Sequence, residues 1–176
     1  MLAFDSSYQG ESGGSPRFLD MPMNRTDDVY SAVDYMTMFP YVDSERIGVA
    51  GVYAGGGYAA KAASIDHRIK AVATASAVNT GASARKGWEG KGSTAELMTT
   101  IDAIAKQRTA EAAGAEIAHA PYVPQVGDKS APRDLQQAAD YYLTRVRSIP
   151  MRRTRCCSTH LLPGWALMLS MWSTRC

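Results

Sequence analysis

The residues best arranged for chemistry are Gly51-Val52-Tyr53-Ala54-Gly55. They lie between a short apolar run, Arg46-Ile47-Gly48-Val49-Ala50-Gly51, and an alanine-rich stretch reaching about Ser64. A small-x-reactive-x-small pattern between a strand and a helix lets the chain bend sharply and lifts the central side chain above the sheet. The amide of Ala54 would then face the negative oxygen that forms when a nucleophile attacks a carbonyl, and the helix N-terminus behind it adds a favourable dipole. The main chain therefore suits covalent acyl chemistry, but the central side chain suits it poorly. A phenolic oxygen stands several ångströms farther from the backbone than a seryl oxygen or a cysteinyl sulfur. With an ordinary pKa of about 10, it also stays protonated at neutral pH unless a base activates it. Tyr53 as a nucleophile thus competes with Tyr53 as a binding residue or as the plug of a pocket.

Supporting groups are sparse. Gly55 and Asp5 are candidate substrate-side residues that would shape the pocket, although capping of the following loop is the better role for Asp5. His67 belongs to the turn Asp66-His67-Arg68, at the end of the sheet opposite the bend, and reads as a surface residue. His119 falls in a helical region with no matching motif, and His160 lies in a C-terminal stretch of altered composition; neither is assigned a role. The run Gly55-Gly56-Gly57 resembles a phosphate cradle. A phosphate-binding loop, however, needs Lys and then Ser or Thr where Tyr58-Ala59-Ala60 stand, so close packing of helix on strand is the better reading. Cys156, Cys157 and Cys176 lack zinc-ligand spacing and read as free thiols, and neither a metal nor a cofactor is expected.

A formal net charge of +2 with 20% charged residues gives no electrostatic reason to expect nucleic acid or an anionic membrane as partner. The Arg145, Arg147, Arg152, Arg153 and Arg155 cluster lacks the interleaved aromatics of a nucleic-acid surface. No apolar run approaches the roughly 20 residues of a spanning helix. The opening MLAFDSSYQGESGG lacks the basic and apolar regions of a secretory leader, so a cytoplasmic location is expected.

The elements that must position Tyr53 follow an α/β order. Met1-Leu-Ala-Phe-Asp5 reads as a buried strand feeding the polar loop Ser6 to Pro16. A sheet that opened on its central strand would be unusual, which hints at strands upstream. Val29, Ala32, Val33 and Met36 recur at helical spacing, with Asn24 or Thr26 as the cap, Asp27 and Asp28 in the first turn, and an end before Pro40. Residues 46–51 form the second strand, the alanine-rich helix follows, and Ile69 to Ser76 is the third strand. Right-handed crossovers make this a parallel sheet. Asn79 to Gly92 is loop-like, Ser93 to about Ala113 is helical with Leu97, Ile101, Ile104 and Ala105 on one side, and Arg133 to Leu143 is a short helix. This gives a partial domain over 1–145, with 80–143 as a cap-like helical excursion, and an atypical Arg/Cys/Trp-containing tail over 146–176. A frame shift upstream of the tail would produce its composition; an authentic amphipathic segment is the alternative.

The runs FDSSYQGESGGSPR and DDVYSAVDYMTMFPYVDSERIGVAGVYAGGGYAAKAASIDHRIKAVATASAV resemble the α/β-hydrolase superfamily, in its branch of dienelactone-hydrolase-like proteins and fungal polyketide transferases or thiohydrolases. The resemblance covers about residues 1–145 and joins several segments in order. It implies an incomplete α/β-hydrolase fold, apparently shortened at both ends, with a parallel-sheet core and a helical excursion after the third strand. It further implies an ester or thioester hydrolase or acyl transferase acting on a small molecule through a Ser or Cys nucleophile. The elbow residue of relatives is typically Cys or Ser, so Tyr53 here points to a catalytically impaired member. The alternative is a non-enzymatic binding or interaction protein on the same scaffold, self-associating through an exposed sheet edge.

Overall fold

Two parallel strands, β1 (Ile47–Val52) and β2 (Ile69–Ala75), form the sheet on which the site rests, with Val49 opposite Val72 and Val52 opposite Ala75. A computed structural model of the chain describes residues 1–143 and the backbone of residues 155–157. Helix α2 (Ala54–Ala63) makes the crossover between the strands, and α1 (Pro22–Thr37) packs beside it. Val33, Ile47, Ala62 and Ile69 are buried together, flanked by Val29, Tyr30, Val42 and Val49. The small Ala59 and Ala62 are almost wholly buried, which is how α2 comes close to the sheet.

Helix α1 carries the expected apolar stripe and ends before Pro40, but it starts one turn earlier than Asn24 or Thr26. Met21 is its N-cap and Pro22 its first residue. Proline at that position already has a helical φ and has no amide left to satisfy, so no side-chain cap is present. Thr26 instead donates from Oγ1 to the carbonyl of Met23 at 2.8 Å. Asp28 leaves the first turn and accepts the Ser7 amide at 2.9 Å, tying the preceding loop to α1.

The expected strand at Met1–Asp5 does not form. All five residues are exposed and pair with no strand among the described residues. An apolar run becomes a strand only when a neighbour satisfies its backbone, and a local pattern carries no information about that neighbour. The region of the excursion is helical, as expected, with two departures. Residues 80–86 form a short helix, α3 (Thr80–Lys86), rather than loop, because Asn79 caps it by accepting the Ala82 amide at 2.9 Å. After α4 (Thr94–Ala112), a three-residue strand β3 (His119–Pro121) pairs antiparallel with β4 (Arg155–Cys157), and α5 (Arg133–Leu143) lies between them in sequence. Three residues are too few to show an alternating pattern, so neither strand was expected. The other expectations for the tail, His160 and Cys176 included, lie outside the described residues.

The sheet is sparsely covered: beyond Ile69, every residue of β2 is exposed, and Val52 and Val72, which point to opposite faces, are 70% and 43% accessible. Parallel sheets are ordinarily covered on both faces.

Candidate functional site

Tyr53 is the single residue between β1 and α2. Its φ of 57° and ψ of −123° lie in a sparsely populated region, which costs a residue with a Cβ about 1–3 kcal/mol. Three main-chain hydrogen bonds hold it there. The Tyr53 amide donates to the Ala75 carbonyl at 2.9 Å, and the Tyr53 carbonyl accepts from Gly56 and Val78, both at 3.1 Å. The turn is thus fastened both to the end of β2 and to the segment after it.

The glycines around Tyr53 do different work. A Cβ on Gly51 would stand 2.3 Å from the Gly55 carbonyl oxygen, and one on Gly57 would stand 2.2 Å from that of Val78. A Cβ on Gly56 would meet that of Ala77 at 2.9 Å. Gly56 and Gly57 therefore have the packing role expected of the glycine run. Gly55 has open space around its missing side chain, so a small residue is not obligatory on that flank. Ala54 is the first residue of α2, and the helix leaves its amide without an internal acceptor.

Tyr53 and Ala54 line a cavity of about 390 Å³ together with Asp20, Tyr58, Trp88 and Tyr122. The Tyr53 and Trp88 rings lie 6.0 Å apart between centroids and are inclined by 32°. Trp88 donates from Nε1 to Asp134 Oδ2 at 2.6 Å, which joins the loop after α3 to the first turn of α5. Burial pushes the Tyr53 phenol above its ordinary pKa, and the charge of Asp134 and the neighbouring Tyr142 push it further the same way. Tyr58 is pushed up to about 12, mainly by burial and then by Asp20, against a hydrogen bond to Thr80 that acts in the opposite sense. At neutral pH both phenols carry their protons.

The other candidate residues stay apart from this cavity. Asp5 follows no strand; its Oδ2 accepts the Glu11 amide at 2.9 Å and its carbonyl accepts from Ser12 Oγ at 2.6 Å, so it caps the loop. Gly55 is on α2 directly after Ala54 but is not part of the cavity wall. His67 precedes β2, at the end of the sheet where Ile47 pairs with Ile69, whereas Tyr53 follows the opposite end of β1. The His119 Nδ1 lies 2.9 Å from the Ile117 carbonyl, and its ring packs edge-on to Phe18. Neither histidine lines the cavity of Tyr53. Among the described residues no group of acidic, His or Cys side chains could hold a metal ion, and no helix is long and apolar enough to cross a membrane.

Trp88, Tyr58, Tyr122 and Asp134 were not expected at the site. Tyr58 had a signal, since it stands one helical turn past Ala54 on the same helix. Trp88 and Asp134 are 46 residues apart and are joined only by the tertiary fold.

Known proteins resemble this chain in sequence and in fold. The acetyl xylan esterase (AXE1) family matches residues 26–78. The uncharacterised protein YcjY of Escherichia coli is 39% identical over 170 residues, which is 97% of this chain and 52% of that protein. The thiohydrolase aneE of Aspergillus aculeatus is 36% identical over 72 residues, 41% of this chain and 23% of that protein. Among solved structures, hypothetical protein PA2218 of Pseudomonas aeruginosa superposes with a TM-score of 0.76 at 29% identity, over 95% of this chain and 55% of its own. The α/β hydrolase GrgF of a Penicillium species superposes with a TM-score of 0.62 at 21% identity, over 89% of this chain and 50% of its own, which speaks to the fold alone. The chain spans about half the length of YcjY.

Proposed function

We propose that the chain is a member of the α/β-hydrolase superfamily, whose fold it shares, and that the Tyr53 cavity is the acyl site of an ester or thioester hydrolase or acyl transferase, in which this chain turns over little or no substrate. The observation that carries the reading is the strained bend of Tyr53, with φ at 57°, next to the Ala54 amide, which has no acceptor within the helix.

An acyl site of this kind works in balanced steps. A nucleophile oxygen or sulfur bonds to the carbonyl carbon, its proton passes to a base, and the carbonyl oxygen gathers charge against amide donors. The bond to the leaving alkoxide or thiolate then breaks, and the base returns the proton to it. Here the Ala54 amide would serve the oxyanion, and Gly55 behind it completes the first turn of α2. Tyr53 occupies the nucleophile's place with a phenol that keeps its proton, and among the described residues no histidine lines the cavity to remove it. The loop capped by Asp5 has a structural part only. The domain reading follows the same lines, with a partial hydrolase domain over 1–145, a helical excursion over 80–143 and an atypical tail over 146–176.

Incubation of the chain with p-nitrophenyl acetate and with short acyl thioesters tests the reading. The expected result is release no faster than that of a Tyr53→Phe variant, and no recovery in Tyr53→Ser or Tyr53→Cys. Turnover tenfold or more above the Tyr53→Phe control would overturn the impaired assignment. A second reading, a binding or interaction protein on the hydrolase scaffold, is favoured by one observation: the exposure of the apolar Val52 and Val72 and of β2 beyond Ile69.

A further inference from the structure

The walls of the Tyr53 cavity have an uneven chemistry. At one end stands the Ala54 amide at the N-terminus of α2, a place that favours the oxygen of a carbonyl. Around it are four aromatic rings, those of Tyr53, Tyr58, Trp88 and Tyr122, with the carboxylate of Asp20, and among the described residues no lysine or arginine contributes to the wall. Asp20 is neutralised by Arg25, whose Nε lies 2.9 Å away. Asp134 is not so neutralised: it accepts from the Trp88 indole and from the Leu135 amide, and among the described residues no ion pair involves it.

Resting on the acyl-site reading, we propose that the cavity selects an acyl compound carrying an ammonium group, its carbonyl toward Ala54 and its cation on the Tyr53–Trp88 face backed by Asp134. The π-face of an aromatic ring attracts a cation within about 6 Å of its centroid, tryptophan most strongly. The Tyr53 and Trp88 rings, with centroids 6.0 Å apart and 32° from parallel, both line the cavity, and the cation lies against them. Hydrogen bonding from the indole N–H to the Asp134 carboxylate fixes the ring and makes its π-cloud more electron-rich, which strengthens that wall. The negative potential is already felt at the site, since the Asp134 charge is one cause of the raised pKa of Tyr53. A ligand bearing a carboxylate or phosphate in place of the ammonium would meet that same potential with the wrong sign.

Titration calorimetry of the full chain with acetylcholine and with its neutral carbon isostere, 3,3-dimethylbutyl acetate, tests the proposal, because the two share shape and ester and differ in charge. Acetylcholine is expected to bind about tenfold more tightly. Trp88→Ala and Asp134→Asn, each with an unchanged far-ultraviolet circular dichroism spectrum, are expected to reduce it to the level of the isostere. Should Trp88→Ala not fold, Asp134→Asn decides alone, since it keeps the size of the side chain. Equal binding of the two esters overturns the ammonium preference and leaves the acyl site standing. Binding of neither overturns both. Slow hydrolysis of p-nitrophenyl acetate by itself touches only the impaired assignment.

Discussion

Gly51 and Gly55 flank Tyr53 symmetrically in sequence and unsymmetrically in space. At Gly51 an added methyl would collide with the Gly55 carbonyl at 2.3 Å, and the α2 backbone would have to move. At Gly55 nothing lies within 4 Å, and the residue is in a helix. Gly51→Ala is therefore expected to destabilise the chain by about 1–3 kcal/mol, as overpacking does. Gly55→Ala is expected to stabilise it by about 0.4–1 kcal/mol, by narrowing the unfolded ensemble. Urea unfolding of both variants should show midpoints moving in opposite directions; a shared fall would mean that Gly55 is as constrained as Gly51. At this scale the sequence revealed the site's centre but not its walls. The strand–bend–helix around Tyr53 was legible because the signal is local, five residues with glycine at each end. That the Gly51 flank is tight and the Gly55 flank open depends on a carbonyl four residues on, which a pattern of small residues does not encode.

The helices divide by how their first turns are satisfied. In α4, Ser93 Oγ accepts the Glu96 amide at 3.2 Å and the Glu96 carboxylate accepts the Ser93 amide at 2.7 Å, a reciprocal capping box. The Glu96 carboxyl is accordingly held below its ordinary pKa by those bonds to Ser93. Ser93→Ala should cost about 1 kcal/mol and shorten α4 at its N-terminus, visible as a smaller helical signal in circular dichroism and a lower unfolding midpoint. An unchanged midpoint would mean that this exposed box contributes nothing to stability. The same device explains which elements were readable. Helix α4 announced itself through the Leu97, Ile101 and Ile104 spacing. In α3 the cap is Asn79, but residues 79–92 carry no such apolar spacing and read as loop. Met1–Asp5 erred in the other direction, as its apolar character was read without a partner strand to receive its hydrogen bonds.

Taken as a whole, the molecule covers its sheet incompletely. Helices α1 and α2 bury Ile47 and Ile69, while Val52 on the opposite face is exposed, as are Lys70 through Ala75 along β2. Apolar sheet surface of this kind favours association. On a sizing column the chain is expected to elute larger than a 176-residue monomer, and later as it is diluted. A single monomer peak at all concentrations would show that the face is tolerated in water, and with it the interaction reading would lose its support. The hydrogen bonds from Tyr53 to Ala75 and from Val78 to Tyr53 bear on engineering at this same scale. They belong to the main chain, and the penalty of the bend arises at the Cβ, so serine, cysteine and tyrosine carry nearly the same backbone cost at this position. The bend is therefore a fixed socket: its occupant can be exchanged while the frame that holds it is left as it stands.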